Sequence, residues 1–249
     1  MMPIEPGILI FILVGFLAQV VDGTLGMGYG VLSTSVLLSL GLPPAIASAS
    51  VHTAEVFVTG VSGLAHLGNG NVERHLVLRL MIPGVLGGVL GAYLLTRVPG
   101  EQVKPVVAVY LLVMGGVILR RAFTRCAPMS APTRLAPLGF VGGFLDSVGG
   151  GGWGPIVTST LLARGHAPRS AIGSVSLTEF FVTVAQAGTF FALLRWVHWP
   201  AAIGLLIGGA LAAPLAAYAC RRLPARVVMG LVGTLILLLS LRTISRALV

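Results

Sequence analysis

Ten apolar runs separated by short polar punctuation make up nearly all of the chain, at about 8 to 21, 25 to 41, 44 to 67, 76 to 96, 103 to 119, 136 to 145, 153 to 163, 170 to 194, 199 to 219 and 226 to 244. A helix needs about 20 apolar residues to cross the roughly 30 Å hydrocarbon layer of a bilayer. The third to fifth and the eighth to tenth runs reach that length, which predicts crossing helices there. The other four are shorter and fall in corresponding places in the two halves, which predicts re-entrant or half-crossing helices.

The polar breaks beside the short runs share one pattern. Asp22-Gly23-Thr24-Leu25-Gly26-Met27-Gly28-Tyr29-Gly30 is answered 124 positions later by Asp146-Ser147-Val148-Gly149-Gly150-Gly151-Gly152-Trp153-Gly154. The same offset, with no gap, relates Gly41 to Gly165, Pro44 to Pro168, Ser50-Val51 to Ser174-Val175, Glu55 to Glu179, Gly84 to Gly208 and Arg97 to Arg221. Aligned acids and glycines inside apolar sequence mark a duplication of a transmembrane unit, residues 1–124 and 125–249.

Parity decides how the two units face. If each short pair forms a hairpin that enters and leaves on one side, three long crossings remain per half and the repeats are inverted. One side then carries Arg74, Arg79, Arg120, Arg121, Arg125, Arg134, Arg164, Arg169, Arg221, Arg222 and Arg226. The other carries Arg97, Lys104, Arg195, Arg242 and Arg246, a split of eleven against five. Parallel repeats would give nine against seven. The larger bias fits the positive-inside rule better. The expected fold is therefore an all-α polytopic membrane protein of two inverted repeats, each of about five hydrophobic segments and a short re-entrant helical hairpin. Both termini lie outside the cytoplasm in this arrangement, and the linker from Arg120 to Arg134 lies inside it.

Composition supports the bilayer setting. Of 249 residues, 56% are hydrophobic and 9% charged, with a mean hydropathy of +0.99. Soluble domains carry roughly 25% charged residues. The net charge of +9 does not point to nucleic acid, because the basic residues are scattered singly at the ends of apolar runs. Met1 to Glu5 lacks the basic start of a cleaved signal peptide, so the N-terminus is expected to stay. Cys126 and Cys220 sit beside arginines on the predicted cytoplasmic side, where a disulfide is not expected, and neither has metal-site spacing. Neither a metal nor another cofactor is expected. The setting is the cytoplasmic membrane of a prokaryote, spanned several times.

Glycine pairs at Gly84 and Gly88, Gly87 and Gly91, and Gly204 and Gly208 have the spacing that lets helix backbones approach closely. Such a face serves either an internal contact or a homodimer.

Four of the seven acidic residues, Asp22, Glu55, Asp146 and Glu179, form two repeat-related pairs inside apolar sequence. A charge at the bilayer centre costs about 2.5–3.5 kcal/mol even on insertion scales, so such groups face a cavity or a partner. Asp22 and Asp146 read either as helix N-caps or as groups lining a cavity. Glu55 and Glu179 read either as neutral carboxyls bonded to a neighbouring helix or as proton sites for coupled transport. His52 lies one turn before Glu55, within side-chain reach, and its counterpart is Ser176. The glycines of each break permit a turn and close approach, and a helix that starts just after one presents free N–H groups and its positive dipole end. Two such starts facing each other would hold an anion. The candidate substrate-binding residues are Asp22, Gly23, Thr24, Gly28, Tyr29, Asp146, Ser147, Gly150, Gly151 and Trp153, with Glu55, Glu179 and His52 for proton coupling.

The stretches Asp22 through Glu55, with Gly26-Met27-Gly28-Tyr29-Gly30 and Gly41-Leu42-Pro43-Pro44-Ala45, and Asp146 through Glu179, with Gly149-Gly150-Gly151-Gly152-Trp153-Gly154, carry a resemblance. The chain resembles the sulfite exporter TauE/SafE family of membrane transporters, in length and run pattern throughout. The resemblance implies export or exchange of small sulfur-containing anions such as sulfite or an organosulfonate, with protons as the candidate coupling ion. Secondary transport by alternating access is the expected function, with a passive anion channel as the alternative. An enzyme would need a nucleophile with a base or a metal cluster, which His52 with Glu55 does not supply.

Overall fold

The computed structural model describes residues 7–123, 134–194, 197–219 and 225–248, without the side chains of 23–25, 214–219, 225, 228, 247 and 248. Each apolar run is helical, and no strand occurs among the described residues. The first half holds α1 (Ile8–Leu25), α2 (Tyr29–Ser39), α3 (Pro44–Gly68), α4 (Arg74–Arg97) and α5 (Gly100–Phe123). The second holds α6 (Leu135–Gly149), a π-helical turn (Gly154–Thr158) running into α7 (Ser159–Ala163), α8 (Pro168–Leu193), α9 (Trp199–Ala219) and α10 (Ala225–Leu248).

Local chemistry fixes the boundaries. Pro44 and Pro168 begin α3 and α8, where a missing N–H is harmless and the fixed φ suits the first turn. α1 ends on Gly26 at φ 67, ψ 28, and α6 on Gly150 at φ 66, ψ 28, each a left-handed cap that L-residues with a Cβ resist. Both caps close onto the backbone carbonyl of the aspartate, Gly26 N–H onto Asp22 O and Gly150 N–H onto Asp146 O. The helices therefore run on through the aspartates, and each break is shorter than its polar sequence suggests. Asp22 and Asp146 belong to the last turn of one helix instead of starting the next.

Four helices among the described residues are both long and apolar enough to cross a bilayer: α4, α5, α8 and the Met229–Arg246 part of α10. α3 has 25 residues, but its serines, threonines, His52 and Glu55 keep it out of that set. Large apolar side chains such as Leu9 (75% exposed) and Leu231 (70%) cover the outside, a surface that only lipid satisfies over such breadth.

Two pairs of corresponding helices, α3 with α8 and α5 with α10, lie against one another and run antiparallel. On α3 and α8 the Thr59 and Thr183 hydroxyls meet at 3.4 Å, while Gly63 packs on Leu177 and Gly60 on Phe180. On α5 and α10, Gly115 faces Ile236 and Gly233 faces Leu119. At one end of the molecule, Phe11 of α1 stacks edge-on against His198 at 5.4 Å, and Gly100 lies beside Pro43 and Pro44. There too Arg246 donates to the Ser39 carbonyl at 3.3 Å, so α1 and α2 have their outer ends together. At the other end Leu76, Leu80, Leu135, Leu161 and Ala171 form one apolar cluster, which brings the outer ends of α6 and α7 together.

The glycine pairs are internal. Gly87 and Gly91 of α4 abut the backbone of Phe140 and Phe144 on α6, and Gly84 takes the Trp153 ring. Gly204 and Gly208 of α9 abut Ile8, Phe11 and Ile12 on α1. Close backbone approach between α4 and α6, and between α1 and α9, is what these small residues provide.

Candidate functional site

The two breaks meet at the centre of the molecule. Gly30 faces Gly150 and Gly151 so closely that a Cβ on it would lie 2.6 Å from the Gly151 Cα. In the repeat-related contact Gly154 faces Gly26 and Met27, with a Cβ 2.8 Å from the Met27 Cα. Thr34 Oγ1 donates to the Gly150 carbonyl and Tyr110 OH to the Gly151 carbonyl, the latter at 2.9 Å, which ties α2 and α5 to the second break.

Between the breaks is a chamber of about 10 Å³, room for one water molecule. All four carboxyl groups singled out in the sequence, Asp22, Glu55, Asp146 and Glu179, line it, together with Gly28, Tyr29, Thr59 and Gly154. Glu55 is 3% exposed and its Oε2 has no hydrogen-bond partner. α2 and the π-turn both start here, and one leading N–H of each is taken. Asp22 accepts from the Tyr29 backbone, and Asp146 Oδ1 accepts from Trp153 N at 2.9 Å. Each aspartate thus caps the helix across the break from its own, which joins the two readings open for it in the sequence.

The two aspartates otherwise differ. Asp146 is 1% exposed; its Oδ2 accepts from Gln186 Nε2 at 2.9 Å and is hydrogen-bonded to His52 Nε2 at 3.2 Å. His52 Nδ1 lies 2.7 Å from the Ser48 carbonyl. A carbonyl oxygen only accepts, so that contact places a proton on Nδ1. The Nε2 contact then requires a second proton, shared between the imidazole and the carboxyl. His52 therefore bonds across to the other half at Asp146, and not to Glu55 as its spacing suggests. Ser48 completes the seal by donating to the Ser147 carbonyl at 2.7 Å.

Asp22 is half-buried. The positions that correspond to His52 and Gln186 are Ser176 and Ser62, and both line a cavity of about 570 Å³ that reaches Asp22. The cavity lies between α1, α3, α8 and α9, and it opens along α3 from Val61 to the exposed Asn69. No lysine or arginine is among its described lining residues, though Arg169 donates to Asn71 Oδ1 and to the Asn69 carbonyl at its mouth.

The remaining sequence candidates are placed as follows. Tyr29 is buried with its hydroxyl donating to the Leu205 carbonyl at 2.8 Å. Ser147 Oγ donates to the Gly88 carbonyl at 2.7 Å, away from the chamber. Trp153 is fully buried, with Nε1 donating to the Val175 carbonyl at 3.3 Å. The backbone of Gly23 and Thr24 belongs to α1, and the Thr24 side chain lies outside the described residues, as do Cys126 and Cys220. Gln19 and Gln186 went unread in the sequence. Neither has a glutamine in its repeat-related place, so a search by symmetry passed over them, although an amide inside an apolar helix is itself a signal.

A family model described as Sulfite exporter TauE/SafE matches residues 11–243. The chain belongs to the sulfite exporter TauE/SafE family. The chain is 41% identical over 247 residues to the "Probable membrane transporter protein YtnM" of Bacillus subtilis (strain 168), covering 95% of this chain and 82% of that protein. It is 27% identical over 206 residues to the "Probable membrane transporter protein ORF9" of Sinorhizobium sp, covering 78% and 74% respectively. No solved structure matches the chain. Membership of this transporter family and the apolar helices together make the protein a multi-pass protein of the cell membrane.

Proposed function

We propose that the protein is a proton-coupled secondary transporter that exports a small sulfur-containing anion, such as sulfite or an organosulfonate, by alternating access. The observation that carries this reading is the one-sided access to the carboxyl ring. A cavity reaches Asp22 from one face, while His52, Gln186 and Ser48 close the corresponding route to Asp146.

Inverted repeats give this asymmetry a mechanism. Antiparallel contacts between α3 and α8, and between α5 and α10, are what two units of opposite orientation produce. In such a pair the open conformation of one half and the closed conformation of the other can exchange, which moves access from one face to the other around a fixed centre. The open face is at the end bearing Arg74, Arg79 and Arg169, the cytoplasmic end by the positive-inside rule.

The central chamber is too small for sulfite in this conformation. Substrate therefore enters the larger cavity first and passes the ring as the breaks separate. Backbone N–H groups around Gly28 and Gly151, with Gly23, Thr24, Tyr29, Gly150, Trp153 and Ser147 behind them, are the walls it passes. Four carboxyl groups around one water-sized space cannot all be ionised together, so the ring carries protons. Glu55 and Glu179 are the groups that take up and release them as access changes, and the proton between His52 and Asp146 holds the closed face.

Sulfite flux in proteoliposomes, with and without an imposed pH gradient, tests the reading. Saturable flux stimulated by the gradient is expected. Non-saturating flux indifferent to the gradient would mean a passive channel instead.

A further inference from the structure

The two halves offer a comparison within one molecule. At Asp146 the protein supplies its own nitrogen partners, the Gln186 Nε2 donor and the hydrogen-bonded His52 Nε2, and the side chains that carry them fill the space. At Asp22 the same two positions hold Ser62 and Ser176, whose shorter side chains leave an open cavity. Gln19 lines this cavity as well, 4% exposed, with an Oε1 that has no hydrogen-bond partner. The inner end of the cavity thus presents two acceptors, a carboxylate and an amide oxygen, with the Ser62 and Ser176 hydroxyls where the other half has the Gln186 and His52 nitrogens.

A simple oxyanion is a poor match for those acceptors, because sulfite and sulfonate groups accept hydrogen bonds and repel a carboxylate. An ammonium group has three N–H donors and the opposite charge. Its position would be the one that the His52 and Gln186 nitrogens take around Asp146. We propose that Asp22 and Gln19 form a subsite for a protonated amine, and that the substrate is a zwitterion carrying an ammonium group beside its sulfur-containing anionic group. The inference rests on the proposed transport of a sulfur-containing anion and narrows its substrate class. Arg169, held at the mouth by Asn71 and Asn69, fits the same picture by attracting the anionic end toward the entrance.

A matched pair of probes tests it: 2-aminoethanesulfonate and 2-hydroxyethanesulfonate, which differ in the ammonium alone, with sulfite as a third ligand. Binding to the purified full-length protein is measured by calorimetry at neutral pH. The amine is expected to bind about ten-fold or more tighter than the hydroxyl compound, the scale of a lost charge-assisted hydrogen bond. Asp22→Asn is expected to bring the amine down to the level of the hydroxyl compound. Equal binding of the two sulfonates to the unaltered protein overturns the amine subsite and leaves the anion reading intact. Binding of none of the three ligands overturns both. Because the wild-type comparison needs no variant, poor folding of Asp22→Asn does not decide the outcome.

Discussion

At the scale of single residues, the buried His52–Asp146 contact ties α3 of the first half to α6 of the second. His52 is fully buried and Asp146 is 1% exposed, so removing the imidazole leaves a buried carboxyl group with one hydrogen-bond partner fewer. His52→Ala is expected to cost about 3–5 kcal/mol in unfolding experiments in detergent, the range for breaking a buried ionic pair. Ser176→Ala, at the corresponding position on the open face, is expected to stay within about 0.5 kcal/mol. For Glu55 and Glu179 the proposed proton pathway makes a prediction about transport. Glu55→Gln and Glu179→Gln should each retain sulfite binding and lose most of the stimulation by a pH gradient, as measured by flux in proteoliposomes. Unchanged stimulation in both variants would remove them from the proton pathway.

Helix-scale behaviour depends on how closely the breaks approach. Gly30→Ala places a methyl group against Gly151 and the Gly150 carbonyl, so the two breaks must part. A destabilisation of about 1–3 kcal/mol is expected from overpacking alone. Gly116→Ala, where nothing lies within 4 Å of the added Cβ, is the matched control and should be neutral to stabilising by up to about 1 kcal/mol. The α3–α8 pairing is testable by a double variant. Thr59→Cys with Thr183→Cys, in a background with Cys126 and Cys220 replaced by serine, should cross-link on mild oxidation, since the two threonine hydroxyls lie 3.4 Å apart. Cross-linked protein should migrate as an unresolved monomer on a gel and lose transport until reduced. A failure to cross-link would place the corresponding helices elsewhere.

For the whole molecule, the sequence reading and the structure agree where physical chemistry acts locally. Apolar runs between arginines, prolines and glycines become helices because the bilayer leaves the backbone no other partner. The central glycines and the four acids were likewise visible, because the repeat sets Asp22 beside Asp146 and Glu55 beside Glu179 at one offset. What stayed hidden involves partners distant in sequence. His52 and Asp146 are 94 positions apart and break the repeat pattern, so neighbouring spacing pointed to Glu55 instead. The π-turn at Gly154–Thr158 was equally out of reach, since its counterpart in the first half is an ordinary α-helix over the same apolar pattern. The extent of α1 past Asp22 depends on a left-handed Gly26, a choice among several glycines that composition does not make.

These differences between otherwise matching halves are what give the molecule one open face and one closed face. Labelling of a cysteine at Ser176, on the wall of the large cavity, tests that most directly. In vesicles of known orientation, with the native cysteines replaced by serine, a membrane-impermeant thiol reagent should react with Ser176→Cys from the cytoplasmic side only, and added sulfite should slow the reaction. Reaction from the outside, or equally from both sides with no effect of substrate, would contradict alternating access around the carboxyl ring.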